Sequence, residues 1–257
     1  MALMHIDTYS ESLRRAVRMD VILPDRRGGF CPPWKTLYLL HGMTDDHSMW
    51  QRRSAIERYA DEAGLAVIMP DTGLKWYTDT AWGECYFSYI ADELPQIMEC
   101  MLPGLSRRRA DRYIAGLSMG GYGALKCALS RPEHFSMAAA LSGAVDVAEL
   151  AAQNALTEDA HYWPDIFGPV EQIADSENDL FALAQRCAGP RPKLFMWCGT
   201  EDFLYDMNLR MRDHLRALGY DLDYRESSGD HQWQYWDREI QSVVAWILAN
   251  GEANACH

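Results

Sequence analysis

Short runs of continuously apolar residues recur along this chain and alternate with stretches of helical periodicity. The runs at 35–40, 65–69, 112–117, 136–141 and 193–198 show no polar alternation. A strand that is apolar on both faces must be covered on both faces, which is the pattern of a parallel sheet between helical layers. Helical patterns at 49–63, 87–101, 119–130, 205–218 and 236–249 supply those layers, and 221–226 reads as a further strand. Ahead of them, 5–13 and 15–23 alternate well enough for two strands, ended by Pro24 and followed by a Gly/Pro-rich turn over 25–33. Pro95 should kink or break the helix at 87–101 near Leu94. The fold class expected is therefore α/β, a mostly parallel central sheet with helices on both faces. A chain of 257 residues fits one such domain, 1–257, with the irregular stretch 146–190 as a small cap-like insertion. That insertion is too short for a core of its own and must lie on something.

Ligands of such sheets bind beyond the carboxyl ends of the strands. A catalytic residue should therefore follow a strand directly. The segment IAGLSMGGYGALK, 114–126, places Ser118 between an apolar strand and a helix, within a G-x-S-x-G pentad. The pentad alone is weak, since chance supplies one in about a tenth of chains this long. A serine hydroxyl also needs a base, and the base an orienting acid. Asp202 follows the strand LFMWC, with Glu201 and Asp206 as rivals, Asp206 falling in a first helical turn that favours an acid anyway. Among eight histidines, His231 alone comes after that acid, follows a strand and precedes a helix. His214 sits inside a helix, His134 in a turn, and His257 at the chain end. His41 ends an early strand and is expected to support backbone geometry there. An oxyanion hole requires backbone N–H donors. Met119, next to Ser118, supplies one, and Met43, after the turn at Gly42, supplies the other.

Composition narrows the partners. With 24 basic and 37 acidic residues the formal net charge is −13, which repels nucleic acid and anionic membranes. Arg107, Arg108 and Arg109 read as a solvated loop before a strand. No two His or Cys are spaced as a metal-binding pair. Seven scattered cysteines, odd in number and without a C-x-x-C pair, read as reduced thiols. With no signal peptide or spanning stretch in sight, the expected location is cytoplasmic. Aromatic residues cluster at Trp76, Tyr77, Trp82, Tyr86 and Phe87, and again at Tyr162, Trp163 and Phe167. Trp163 or Phe167, with Trp76 and Tyr77, is expected to wall a substrate pocket; the alternative is that these rings pack the insertion onto the core or onto another subunit.

The segments HGMTDDHSMW, GLSMGGYGALK, CGTEDFLYDMN and GDHQWQYW together resemble the esterase D family of serine carboxylesterases, α/β-hydrolases, above all its bacterial tributyrin esterase and feruloyl esterase branch. The resemblance runs from about Ile6 to Leu248. It implies nucleophile Ser118, acid Asp202, base His231 and oxyanion amides from Met43 and Met119. It further implies hydrolysis of short-chain acyl (acetyl to butyryl-like) or aryl esters through an acyl-enzyme, with no metal or organic cofactor, by a homodimer or homotetramer. Two alternatives share that machinery: an S-formylglutathione hydrolase-type thioesterase and a feruloyl or cinnamoyl esterase. A non-catalytic binding protein of this fold would usually have lost one of the three residues, and none is missing.

Overall fold

The computed structural model describes residues 1–24 and 31–252. Most of the expected turn at 25–33, Cys256 and His257 lie outside them. Eight strands form one sheet: β1 Ala2–Ser10, β2 Arg15–Leu23, β3 Lys35–Leu40, β4 Leu65–Pro70, β5 Arg112–Leu117, β6 Met137–Leu141, β7 Lys193–Gly199 and β8 Leu222–Ser227. Their order is β1-β2-β4-β3-β5-β6-β7-β8, with β2 antiparallel to both neighbours and β4 through β8 parallel. β3, β4, β5 and β6 are buried along their whole length, which is why they lack polar alternation. From β3 the chain first steps outward to β4 and then returns to β5 on the other side of β3. That reversal creates a crevice where the loops after β3 and β5 part.

Helices α1 Met49–Arg53, α2 Ile56–Ala63, α3 Tyr86–Ser88, α4 Leu94–Met101, α5 Met119–Ser130, α6 Val147–Ala152, α7 Tyr162–Phe167, α8 Leu180–Arg186, α9 Tyr205–Ala217 and α10 Trp233–Asn250 complete the layers. One apolar cluster joins α2 and α10 to one sheet face, and a second joins α4, α5, α8 and α9 to the other. The helix expected at 49–63 is interrupted at Ser54 and Ala55, because the Asp237 carboxylate of α10 accepts the Ala55 backbone N–H at 2.9 Å. The expected break at Pro95 takes a specific form. A π-helical turn, Tyr89–Glu93, precedes α4, and Pro95 falls in the first turn of α4, where a missing N–H is tolerated. The carbonyl of Ala91, four residues before Pro95, instead accepts from His134 Nδ1 at 2.8 Å.

The stretch 146–190 carries α6, α7 and α8, and its Val147, Leu150, Trp163 and Leu180 join the core cluster around α5. Lys126 of α5 fastens this side. Its buried ammonium donates to Asn178 Oδ1 at 2.6 Å and to Thr78 Oγ1, and lies 5.3 Å from the Phe87 ring centroid. Burial pushes its pKa down to about 8. The unfolded chain keeps that proton to about 10.5, so between these values the unfolded state binds more protons and stability rises with pH. Relative to Lys126→Met, the wild type should gain about 2 kcal/mol in urea denaturation between roughly pH 7.5 and 9.5. A difference that stays flat with pH would contradict a buried ammonium at this position.

Candidate active site

Ser118 occupies the turn between β5 and α5 with φ +50° and ψ −117°. A non-glycine residue with positive φ is strained, and three backbone hydrogen bonds hold it there. Its N–H donates to Leu141 O at 2.9 Å, and its carbonyl accepts from Tyr122 and Ala144 N–H at 3.1 Å each. The turn closes only because glycine stands on both sides. A Cβ on Gly120 would come within 2.5 Å of Leu40 O and 2.6 Å of His41 O, and one on Gly116 within 2.3 Å of Gly120 O.

Strand β7 delivers Asp202 and strand β8 delivers His231. His231 Nε2 lies 3.0 Å from Ser118 Oγ, and its Nδ1 lies 2.9 and 3.1 Å from the two Asp202 carboxylate oxygens. The Asp202 side chain is fully buried while His231 keeps 21% exposure. Asp202 Oδ1 also accepts the Leu204 N–H at 2.9 Å, which fixes the carboxylate's orientation. With Asp202 ionised, Nδ1 carries the ring proton and Nε2 is left as an acceptor facing the serine hydroxyl. The rivals for the acid stand elsewhere. Asp206 is exposed on α9, and Glu201 accepts the Gly229 N–H at 2.5 Å, a contact that holds its carboxyl below the usual range. Glu201 thus anchors the loop that carries His231 rather than His231 itself.

Met119 opens α5 beside Ser118, and Met43 lines the cleft across from it. The end of β3 that carries this loop is pinned from three sides. Trp50 Nε1 donates to Leu40 O at 2.9 Å, Tyr77 Oη donates to His41 O at 2.8 Å, and His41 Nδ1 donates to Gly42 O at 2.8 Å. His41 Nε2 in turn accepts the Thr72 N–H at 3.1 Å, and burial lowers the ring's pKa, so it stays neutral. Of the three other histidines set aside in the sequence, His257 lies outside the described residues, and the other two bind backbone, His134 to Ala91 O at 2.8 Å and His214 to Phe181 O at 3.0 Å.

The aromatic residues named as pocket walls lie elsewhere. Trp76, Tyr77 and Trp163 are completely buried and Phe167 is 9% exposed, and none of the four lines the cleft at Ser118. Trp76, Trp163 and Phe167 pack together instead, with ring centroids 5.0 Å apart for Trp76 and Trp163 and 6.0 Å for Trp76 and Phe167. Trp76 Nε1 donates to Tyr162 Oη at 2.8 Å, while the Tyr77 ring packs 5.8 Å from His41. Trp76 and Tyr77 both have positive φ, a strained pair held on one side by the Trp76 ring contacts and on the other by Tyr77 Oη donating to His41 O. The alternative reading, rings packing the insertion onto the core, describes this arrangement. The cleft has a volume of about 390 Å³ and its walls come from Met43, Asp45, Leu156, Phe203, Trp233 and Trp236. Phe203 directly follows the acid, and Trp233 and Trp236 come two and five residues after the base, a nearness in sequence that is the available signal for them. Among the described residues no three His, Cys, Asp or Glu side chains converge as metal ligands, and no helix is long and apolar enough to cross a membrane.

Sheet order and strand-end site together define an α/β-hydrolase of the serine esterase class. The Esterase family model matches residues 10–247, and the chain belongs to that family. It is similar to an acetyl esterase of Caldicellulosiruptor saccharolyticus, 30% identical over 96% of this chain and 98% of the relative. Among solved structures it resembles the fluorophosphonate-binding serine hydrolase FphF of Staphylococcus aureus, 33% identical with a TM-score of 0.88, covering 96% of this chain and 98% of that one. The S-formylglutathione hydrolase FrmB of the same organism is 32% identical with a TM-score of 0.86 over the same shares. The protein is a carboxylic ester hydrolase.

The Tyr77 hydroxyl is the one brace here that can be removed without changing shape. Tyr77→Phe leaves a buried carbonyl of His41 with one partner fewer and should lower unfolding free energy by about 1–3 kcal/mol in urea denaturation. If Tyr77 faced substrate instead, stability would stay the same and KM would change.

Proposed function

We propose that the protein hydrolyses short-chain acyl or aryl esters through an acyl-enzyme on Ser118, with His231 as general base and then acid and Asp202 as its orienting partner. The observation that carries this reading is the continuous relay Ser118 Oγ to His231 Nε2 at 3.0 Å and His231 Nδ1 to Asp202 at 2.9 Å. As Ser118 Oγ attacks the ester carbonyl, its proton passes to Nε2, and the imidazolium formed is balanced by the Asp202 charge. The backbone N–H groups of Met43 and Met119 receive the tetrahedral oxyanion. His231 then protonates the leaving alcohol, and water repeats the sequence on the acyl-enzyme, regenerating the serine.

A cleft of about 390 Å³ walled in part by Leu156 favours small acyl groups, as does the likeness to an acetyl esterase. The segment 146–190 supplies Leu156 and serves as a small cap over that cleft. A second reading, thioester hydrolysis of the S-formylglutathione type, draws on the likeness to FrmB. Against it, among the described residues lining the cleft only Asp45 and His231 are ionisable, and neither would pair with the carboxylates of a glutathione adduct. Feruloyl or cinnamoyl esters remain as probes of the aryl limit. The six described cysteines are free, which suits a cytoplasmic location. A homodimer or homotetramer is proposed from the family resemblance.

Assays with p-nitrophenyl esters from acetate to decanoate, methyl ferulate and S-formylglutathione test the reading. Turnover is expected to peak between acetate and butyrate. Ser118→Ala should abolish it, and Asp202→Asn should reduce kcat by about 10³–10⁴. Glu201→Gln should stay within about tenfold of wild type, since Glu201 touches the loop and not the histidine. A Glu201 effect as large as that of Asp202 would overturn the assignment of the acid.

A further inference from the structure

Among the described residues lining the cleft there is one carboxylate, Asp45, on the loop that also carries Gly42 and Met43. Asp45 is half-buried, and burial raises its pKa; the Gly42 N–H and the Arg53 charge offset that rise, while Asp46 adds to it. No Lys or Arg among the described residues reaches it as an ion-pair partner. Its charge is therefore partly desolvated and without a close countercharge. A cation placed in the cleft would supply one.

Aromatic rings face the same space. His231 stands between Phe203 and Trp236, with ring centroids 4.7 and 4.8 Å away, and Trp233 packs against Trp236 at 5.5 Å. Phe203 is 60% exposed although its ring touches the histidine. Because His231 Nε2 must hand its proton to the leaving oxygen, the alcohol portion of an ester lies on this aromatic side. Electron-rich ring faces together with a carboxylate form the environment that holds alkylammonium groups. The whole surface adds to this, since a net charge of −13 draws cations toward the cleft and repels anions.

We propose that the alcohol side of the cleft is a subsite for an ammonium group, held by the Asp45 carboxylate and the rings of Phe203 and Trp233, so that esters of cationic amino alcohols are preferred substrates. The proposal deepens the reading of Ser118 and His231 as the reacting pair and rests on it.

Acetylcholine and 3,3-dimethylbutyl acetate test it, since they share a shape and acetyl group and differ in charge. Wild type should show a kcat/KM about tenfold higher for the cationic ester, arising in KM. In Asp45→Asn, which keeps the size and an acceptor for the Gly42 N–H, the ratio should fall to within about twofold of unity. Phe203→Leu should lower the ratio about threefold while leaving Asp45 in place. Choline should inhibit hydrolysis of p-nitrophenyl acetate competitively, and more strongly than 3,3-dimethylbutanol. A wild-type ratio near one, or a ratio that survives Asp45→Asn, overturns the subsite while leaving Ser118 chemistry intact. Failure to hydrolyse the neutral esters as well overturns both readings together.

Discussion

The contact between the first turn of α5 and the carboxyl end of β3 sets the position of everything else in this site. With no side chain on Gly120, the helix settles against the carbonyls of Leu40 and His41, where a single methyl group would lie 2.5–2.6 Å from oxygen. That approach turns the chain sharply enough to put Ser118 at φ +50° on top of the sheet. It also brings the loop after β3, which carries Met43, beside the start of α5. The strain at Ser118 is of order 1 kcal/mol or a few, and its three backbone hydrogen bonds, one to β6, offset it.

Two histidines show how burial separates structure from chemistry. His41 is sealed, its Nδ1 committed to Gly42 O and its Nε2 to Thr72 N–H, so it has no free nitrogen for a substrate. His231 spends only Nδ1 on a fully buried carboxylate and presents Nε2 to the cleft. The supporting contacts are of the same kind. Glu201 holds the Gly229 backbone, and a Cβ on Gly199 would fall 2.0 Å from Gly229 O, so the loops bearing acid and base fit against each other only through glycine.

The parallel strands and the residues at their carboxyl ends were legible in the sequence because both follow from local patterns. A run such as RYIAGL needs no partner to be read as buried, Ser118 comes directly after it, and Asp202 and His231 come within four residues of the ends of β7 and β8. What the sequence hid depends on distant residues. The break at Ala55 is made by Asp237, 182 positions away, and the carbonyl freed by Pro95 is taken by His134 from another part of the chain. The aromatic residues were misread for the same reason. The sequence shows that Trp76, Tyr77, Trp163 and Phe167 are aromatic, but only packing shows that Trp76, Trp163 and Phe167 pack on one another and that Tyr77 packs on His41. The rings that do line the cleft are Phe203, next to Asp202, and Trp233 and Trp236, two and five residues after His231.

The central claim is that the hydroxyl of Ser118 is the reacting atom. Wild-type protein treated with an alkyl fluorophosphonate, digested and sequenced by tandem mass spectrometry tests it most directly. A single adduct on Ser118, blocked in advance by a slowly hydrolysed ester and lost in His231→Ala, is the expected result. An adduct on any other residue, or equal labelling of Ser118 with and without His231, would contradict the account.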